Sequence, residues 1–169
     1  NGQAITLGVV GVWIGLMAVF GTLRPVRIGW LLPLSGVQLE MNALGGFFMA
    51  LTAAVAISVG IYSIGYARRE HLGAVPLTVL PLFVAAMLLV PAAGSVTTFL
   101  LAWELMALAS LILVLTDHTR REVRSAGLFY AVMTQLGFAA ILIGLMVMST
   151  AGGADRFTEL GTVSDGTRT

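Results

Sequence analysis

Long stretches without a charged residue are the feature that most constrains the fold of this chain. Four uncharged runs, 1–23, 41–67, 72–103 and 125–154, each exceed the about 20 residues that a membrane-spanning helix needs. Charged residues make up 10% of the chain and its mean hydropathy is +0.97, whereas soluble domains carry about 25% charged residues. The sequence therefore predicts an all-α, polytopic transmembrane helix bundle.

The uncharged runs divide into about five predicted spans. We place them at residues 4–23, 43–66, 75–92, 95–115 and 125–148, within a helical bundle of residues 1–150. Pro76 and Pro91 fall at the ends of the third span, whereas Pro81 is expected to kink its helix or to delay the start of that helix. Residues 151–169 are polar and predict a loop or tail. The chain does not begin with Met, and we expect it to be part of a longer polytopic protein.

Several classes of protein are excluded by what the sequence lacks. The net charge is +1 and no basic block exceeds a short arginine pair, so we expect no nucleic-acid partner. There is no cysteine, which excludes disulfides and thiolate metal sites. No phosphate-binding loop, nucleophile elbow or dinucleotide motif is present, so we expect no active site and no cofactor within this chain. His71 and His118 lie at span ends and are interpreted as interfacial residues, not as metal or haem ligands.

The arginines indicate an orientation in the membrane. With five spans, five arginines fall in loops on one side and four on the other. The first group consists of Arg68, Arg69, Arg120, Arg121 and Arg124, and the second of Arg24, Arg27, Arg156 and Arg168. Because cytoplasmic loops carry the excess of basic residues, the arginines favour a cytoplasmic N-terminus. We also predict that this multi-pass protein lies in the inner (plasma) membrane.

Two further patterns predict local contacts. The loop 24–42 combines proline and glycine turn signals with two short stretches, 26–32 and 36–39. This pattern predicts an external β-hairpin, which we interpret as a cover over helix ends and not as a binding loop. In the first span, Gly11 and Gly15 form a GxxxG pair, which favours close packing against another helix.

Glu104 is the single charged side chain between His71 and Asp117, and it lies near the middle of the fourth span. An ionisable group at that depth costs about 2.5–3.5 kcal/mol on insertion scales. No arginine lies inside a span and the chain has no lysine, so a cationic partner must come from elsewhere. Because burial disfavours an ionised carboxyl, Glu104 suits reversible proton loading, and proton or cation handling is the favoured interpretation. The alternatives are a protonated Glu104 bonded to a carbonyl and an ion pair with a basic residue outside this sequence.

Polar residues on the fifth span could extend such a pathway. Tyr130 and Thr134 are four residues apart and share one helix face, with Gln135 beside them. Ser58, Tyr62 and Tyr66 repeat this spacing on the second span. These residues predict either interhelical hydrogen bonds, worth about 0.6 kcal/mol each, or a hydrated proton wire, and the residues alone favour the hydrogen bonds.

Three segments resemble one family of membrane proteins. TFLLAWELMALAS at 98–110 resembles the fifth transmembrane helix of the antiporter-like subunits of respiratory complex I, group 4 hydrogenases and Mrp-type cation/proton antiporters. YSIGY at 62–66 is similar to the end of that family's third helix. YAVMTQLG at 130–137 is similar to its sixth helix, in the style of hydrogenase-4 component B and formate hydrogenlyase subunit 3. The resemblance covers nearly the whole chain and implies the N-terminal part of a larger antiporter-like fold.

The resemblance also implies a function. Glu104 corresponds to the family's main ion-pathway residue, which is paired with a lysine on the seventh helix, and Tyr130, Thr134 and Gln135 are weaker candidates. The chain would be part of a non-redox, proton-translocating subunit of a redox-driven complex, with other membrane subunits, the lipid bilayer and protons, or alternatively Na⁺, as partners. The alternatives are an Mrp-type antiporter subunit, a structural membrane anchor without an ion path, and a redox subunit that holds haem or quinone.

Three residues depart from the family pattern. Asn42 stands where many relatives have Asp before the third helix. Gln135 replaces a His of the hydrogenase branch, which removes a titratable group from the sixth helix. Phe138 occupies the position of an acidic residue in the largest antiporter-like subunit of complex I. These differences leave Glu104 as the main titratable candidate.

Overall fold

Five helices dominate the fold. The computed structural model describes residues 2–21, 26–28, 37–69 and 73–152. The helices are α1 (Gly2–Val19), α2 (Ala43–Arg69), α3 (Ala74–Leu89), α4 (Val96–Val114) and α5 (Arg121–Gly152). Five helical segments are long and apolar enough to cross a membrane, which confirms the predicted all-α, polytopic bundle. The predicted polar tail, apart from the two residues that end α5, lies outside the described residues.

Helices α1 and α2 pack closely through residues with small side chains. A Cβ atom added to Gly15 would lie 2.7 Å from the backbone nitrogen of Ala50 and 2.7 Å from the carbonyl oxygen of Gly46. A Cβ atom added to Gly11 would lie 2.9 Å from the Cβ atom of Ala53. The two backbones therefore approach too closely for larger side chains, and the GxxxG pair lies in the kind of contact that it predicts.

The buried core is small and lies where α1, α2 and α3 meet. It consists of Ala4, Met49, Ala53, Ala56, Val84, Leu88 and Ala92. Large apolar side chains point outward instead, and on α5 Leu128 is 68% exposed. Lipid tails are as apolar as leucine, so helices in a bilayer gain little by burying large apolar side chains against one another. This distribution is typical of a bundle whose outer surface contacts lipid or other helices.

A two-stranded hairpin connects α1 and α2. Strand β1 (Val26–Ile28) pairs antiparallel with β2 (Val37–Leu39), and Val26 lies opposite Leu39. This pairing confirms the predicted hairpin. Residues 29–36, which would close it, lie outside the described residues.

Strand β2 is bonded to the connection between α3 and α4. The N–H of Gly94 donates to the carbonyl oxygen of Gln38 at 2.8 Å, and the N–H of Glu40 donates to that of Ala92 at 3.0 Å. The N–H of Gln38 donates to Oγ1 of Thr98 in the first turn of α4 at 3.0 Å. The hydroxyl of Thr98 also lies 2.9 Å from that of Ser95. The hairpin is thus attached to helix ends, as its sequence predicts.

The contact between Thr98 and the hairpin can be tested by removing its hydroxyl group. Thr98 is 4% exposed, and Thr98→Val keeps its shape but leaves the N–H of Gln38 without this acceptor. Since an unmade hydrogen bond in a buried site costs about 1–3 kcal/mol, we expect the free energy of unfolding in mixed micelles to fall by that amount. The control is Thr78→Val, because the hydroxyl of Thr78 is exposed and bonds within its own helix. An equal effect of both variants would contradict a stabilising role for the Thr98 contact.

Helix α3 tolerates its prolines. It begins at Ala74, continues through Pro81 to Leu89, and is followed by a 3-10 turn, Val90–Ala92, that contains Pro91. The helix therefore starts before Pro81 and is not delayed by it, and the predicted kink at Pro81 stays a prediction. Pro76 lies in the first turn, where an N–H has no helical partner and its loss costs nothing. A proline inside a membrane helix is tolerated where neighbouring groups satisfy the freed carbonyl.

Candidate functional site

Helix α4 carries Glu104 close to its middle. Ser95 precedes the helix, and its side chain accepts a hydrogen bond from the N–H of Thr98 at 3.2 Å, which is the usual role of an N-cap serine. The 19 residues from Val96 to Val114 include neither glycine nor proline, so no helix breaker interrupts α4 on either side of Glu104. A continuous apolar helix therefore presents one carboxyl group at mid-length.

The two carboxyl oxygens of Glu104 have different surroundings. Oε1 accepts a hydrogen bond from Nε2 of Gln135 on α5 at 3.0 Å. Oε2 is buried and has no hydrogen-bond partner among the described residues. A buried polar atom without a partner is costly, so Oε2 marks a position where a further group, such as a cation, a proton or water, would lower the free energy.

Tyr130 and Ser110 form a second contact between α4 and α5. The hydroxyl oxygens of Ser110 and Tyr130 are 2.5 Å apart. The Oγ atom of Ser110 also lies 2.8 Å from the carbonyl oxygen of Ala107. Both bonds are satisfied when Ser110 donates to Ala107 and Tyr130 donates to Ser110.

The hydroxyl group of Thr134 does not donate to the contacts between α4 and α5 described above. Its Oγ1 donates within α5, towards the carbonyl oxygens of Tyr130 at 2.8 Å and Ala131 at 3.0 Å. Of the three weaker candidates, Gln135 contacts Glu104 and Tyr130 contacts Ser110, whereas Thr134 bonds to its own helix.

Glu104, Ser110, Tyr130 and Gln135 together form what we term the α4–α5 polar seam. The helices run antiparallel, so a residue with a higher number on α4 contacts a residue with a lower number on α5: Glu104 contacts Gln135, and Ser110 contacts Tyr130. Glu104 and Ser110 are six residues apart, which corresponds to about 9 Å along the helix axis. Two polar contacts at this separation fix the register of α4 against α5.

Ser110 and the pairing of Glu104 with Gln135 were not predicted from the sequence. The short connection between the two predicted spans nevertheless indicates which residues of α4 and α5 lie at the same height in the membrane. Antiparallel helices joined by a short link bring residues at equal distances from that link to the same height. Ser110 and Tyr130 are each ten residues from Arg120, and Glu104 and Gln135 are sixteen and fifteen residues from it.

The other polar candidates lie away from the seam. The hydroxyl of Ser58 donates to the carbonyl oxygen of Ala54 in its own helix at 3.2 Å. The rings of Tyr62 and Tyr66 stack with their centroids 5.9 Å apart. His118 is exposed, and His71 lies outside the described residues. Within the described part of the chain, no three His, Cys, Asp or Glu residues are grouped as a metal site would require.

A family comparison covers the part of the chain that contains the seam. Residues 93–168 match the family described as the transmembrane region of NADH:quinone oxidoreductase and Mrp antiporters. This segment includes all of α4 and α5, and therefore Glu104 and its contacts with α5.

Similar proteins extend the comparison to most of the chain. An uncharacterized protein of Mycobacterium tuberculosis is 72% identical over 162 residues, which are 96% of this chain and 25% of that protein. Hydrogenase-4 component B of Escherichia coli is 25% identical over 76% of this chain and 19% of that protein. NADH-quinone oxidoreductase subunit L of Mycobacterium tuberculosis is 30% identical over 72% of this chain and 20% of that protein. The chain thus spans a quarter or less of the length of these relatives.

Proposed function

The chain belongs to the antiporter-like family of membrane subunits that includes those of NADH:quinone oxidoreductase, hydrogenase-4 and Mrp antiporters, and we propose from this that it is part of a proton-translocating subunit of a redox-driven membrane complex. In this proposal Glu104 binds and releases the translocated proton near the middle of the membrane. The complex is of the hydrogenase-4/formate hydrogenlyase type or of the NADH:quinone oxidoreductase type.

The surroundings of Glu104 are the observation that supports this proposal best. A carboxyl group in the middle of an apolar helix has one oxygen bonded to a neutral amide. Its other oxygen is buried and has no partner among the described residues. Polar groups inside membrane bundles that lack a structural explanation are favoured positions for proton relays. A partner for Oε2 would then come from outside the described residues, and in this proposal that partner is a mobile cation or the translocated proton.

The proposed mechanism requires a cation that can approach Glu104 and move away. By the resemblance to the family, that cation is a lysine on a helix beyond this sequence. A nearby ammonium stabilises the ionised carboxyl, and its withdrawal favours proton uptake by Glu104. In this proposal the subunit carries no redox group, so the energy for this movement would come from redox chemistry in neighbouring subunits.

The second contact of the polar seam extends the proposed pathway. Tyr130 and Ser110 bring two hydroxyl groups together, about one and a half helical turns from the level of the contact between Glu104 and Gln135. Hydroxyl groups both donate and accept hydrogen bonds, so they could order water that carries a proton along α5. We assign Thr134 a lesser part, since the hydrogen bonds of its hydroxyl group described above stay within α5, whereas Ser110 and Tyr130 bond across the two helices.

The proposed setting is the inner (plasma) membrane, with the N-terminus of the chain in the cytoplasm. The arginine distribution supports this orientation, because the side with five arginines would then be cytoplasmic and the side with four would not. The hairpin and the first turn of α4 would face the opposite side. Other membrane subunits of the complex are the proposed partners.

Ion uptake by membrane vesicles tests the proposed function. Inverted vesicles that carry the full-length protein with its complex would be supplied in turn with H₂, formate or NADH while a pH-sensitive dye reports internal acidification. Acidification driven by one of these donors is the expected result. Acidification driven by a Na⁺ gradient alone would favour the Mrp-type alternative. An intact complex that acidifies under neither condition would favour a structural anchor and contradict the proposal.

A further inference from the structure

The unequal bonding of the two Glu104 oxygens has a direct chemical consequence. Oε1 is 3.0 Å from Nε2 of Gln135, so one side of the carboxyl group is already occupied. Oε2 is buried and lacks a partner within the described residues. A proton that joins Glu104 with the least disturbance of existing bonds therefore joins Oε2.

The amide of Gln135 suits a partner that must stay in place while a proton comes and goes. A primary amide has two N–H donors and a carbonyl acceptor, and it does not titrate in the accessible pH range. Its N–H donates to an ionised carboxylate, and more weakly to the carbonyl oxygen of a protonated carboxyl group. Gln135 can therefore keep its bond to Oε1 in both protonation states without itself gaining or losing a proton.

A second contact, which involves neither Gln135 nor Glu104, helps to fix the position of Gln135. The contact between Ser110 and Tyr130, with hydroxyl oxygens 2.5 Å apart, lies on the same two helices five residues from Gln135. It restricts sliding of α4 along α5, and sliding would carry Gln135 out of reach of Glu104. The pair is thus held by a second polar contact that does not involve the carboxyl group.

We infer that Gln135 is a positioning residue that holds Oε1 of Glu104, so that the translocated proton is exchanged at Oε2. This inference rests on the proposed function and assigns separate roles to the two oxygens. On loading, an O–H bond forms at Oε2 while the N–H bond of a neighbouring ammonium, or an O–H bond of a hydronium ion, breaks. On release, the O–H bond breaks and the proton passes to water, while the bond from Gln135 to Oε1 persists.

Infrared difference spectroscopy can detect the bond between Gln135 and Glu104 directly. The full-length protein in lipid nanodiscs would be taken through a pH jump, and the carbonyl band of protonated Glu104 would be identified by its loss in Glu104→Gln. Gln135→Met keeps the length of the side chain and removes its N–H donors. We expect this variant to move the Glu104 band to higher wavenumber, because the carbonyl oxygen at Oε1 loses its hydrogen bond.

Further variants separate positioning from general damage to the helix. Gln135→Asn shortens the side chain by one methylene and is expected to shift the band in the same direction. Gln135→His retains an N–H donor and is expected to keep the band close to its wild-type position. Met133→Leu is the control on α5, where Met133 is 52% exposed, and it should leave the band unchanged. In vesicles, Gln135→Met should lower the rate of proton translocation about tenfold, as expected for one hydrogen bond to a charged group.

The outcomes distinguish this inference from the proposed function. A Glu104 band at the wild-type wavenumber in both Gln135→Met and Gln135→Asn would overturn the role of Gln135, even if proton translocation depends on Glu104. A shifted band together with unaltered translocation would also overturn it, since positioning would then have no consequence. If the wild-type complex translocates no protons with any donor, the proposed function fails, whereas the band shift still reports whether the pair exists.

Discussion

Replacement of Glu104 by glutamine is expected to lower proton translocation by the intact complex on the order of 100-fold or more, the range typical for loss of a group that transfers a proton. The introduced amide has nearly the shape of the carboxyl group but neither binds nor releases a proton at neutral pH. It can still accept a hydrogen bond from Gln135, so the contact between α4 and α5 should survive. The measurement is acidification of inverted vesicles per electron transferred, alongside the amount of assembled complex.

Two matched variants make this result specific for Glu104. Glu122→Gln makes the same chemical change in the first turn of α5, where the side chain is exposed, and it should leave translocation unchanged. Glu104→Asp keeps the carboxyl group but shortens the side chain, and it should retain part of the activity. Wild-type translocation in an assembled Glu104→Gln complex would identify Glu104 as a buried structural acid and remove the basis for an ion path through α4.

The membrane-spanning elements of this fold could be predicted from the sequence because their cause is local. In the hydrocarbon core, the backbone N–H and C=O groups of a long uncharged run have no water to bond to. A helix pairs these groups within the same segment, without the help of neighbouring segments. The hairpin could be predicted for a similar reason, since turn residues between short β-prone stretches act locally. Pro81 shows the limit of this reasoning, because the local rule allows either a kink or a late start, and the helix begins at Ala74, before the proline.

The contacts of Glu104 depend on how α4 and α5 pack against each other, and the sequence indicates this packing only weakly. Glu104 was recognised from its isolation among apolar residues, a property of one segment. Its bond to Gln135 requires both the register and the rotation of α5 against α4. Equal distances from the connecting link indicate the height of each residue but not its direction around the helix. Ser110 was missed for the same reason, because a serine in a membrane helix has several ways to bond.

The close contact between α1 and α2 provides the second large expected effect. Replacement of Gly15 by valine is expected to lower the free energy of unfolding in mixed micelles by about 3 kcal/mol, the upper part of the range for overpacking. The first carbon of the new side chain would lie 2.7 Å from two backbone atoms of α2, the nitrogen of Ala50 and the carbonyl oxygen of Gly46. Backbone atoms cannot move aside as side chains do, so the whole of α1 would have to shift away from α2.

Gly144→Val on α5 is the control for this prediction, because a Cβ atom there would meet nothing within 4 Å among the described residues apart from the adjoining backbone of its own helix. Both variants make the same change in helix propensity, so their difference isolates the contact between the helices. The shift of α1 would also disturb Leu88 of α3, whose side chain lies 3.1 Å from the Cβ position of Gly11. We therefore expect Gly15→Val to reduce assembly of the complex, whereas Gly144→Val should not. Equal stability of the two variants would mean that α1 and α2 lie farther apart in the membrane than the structure places them.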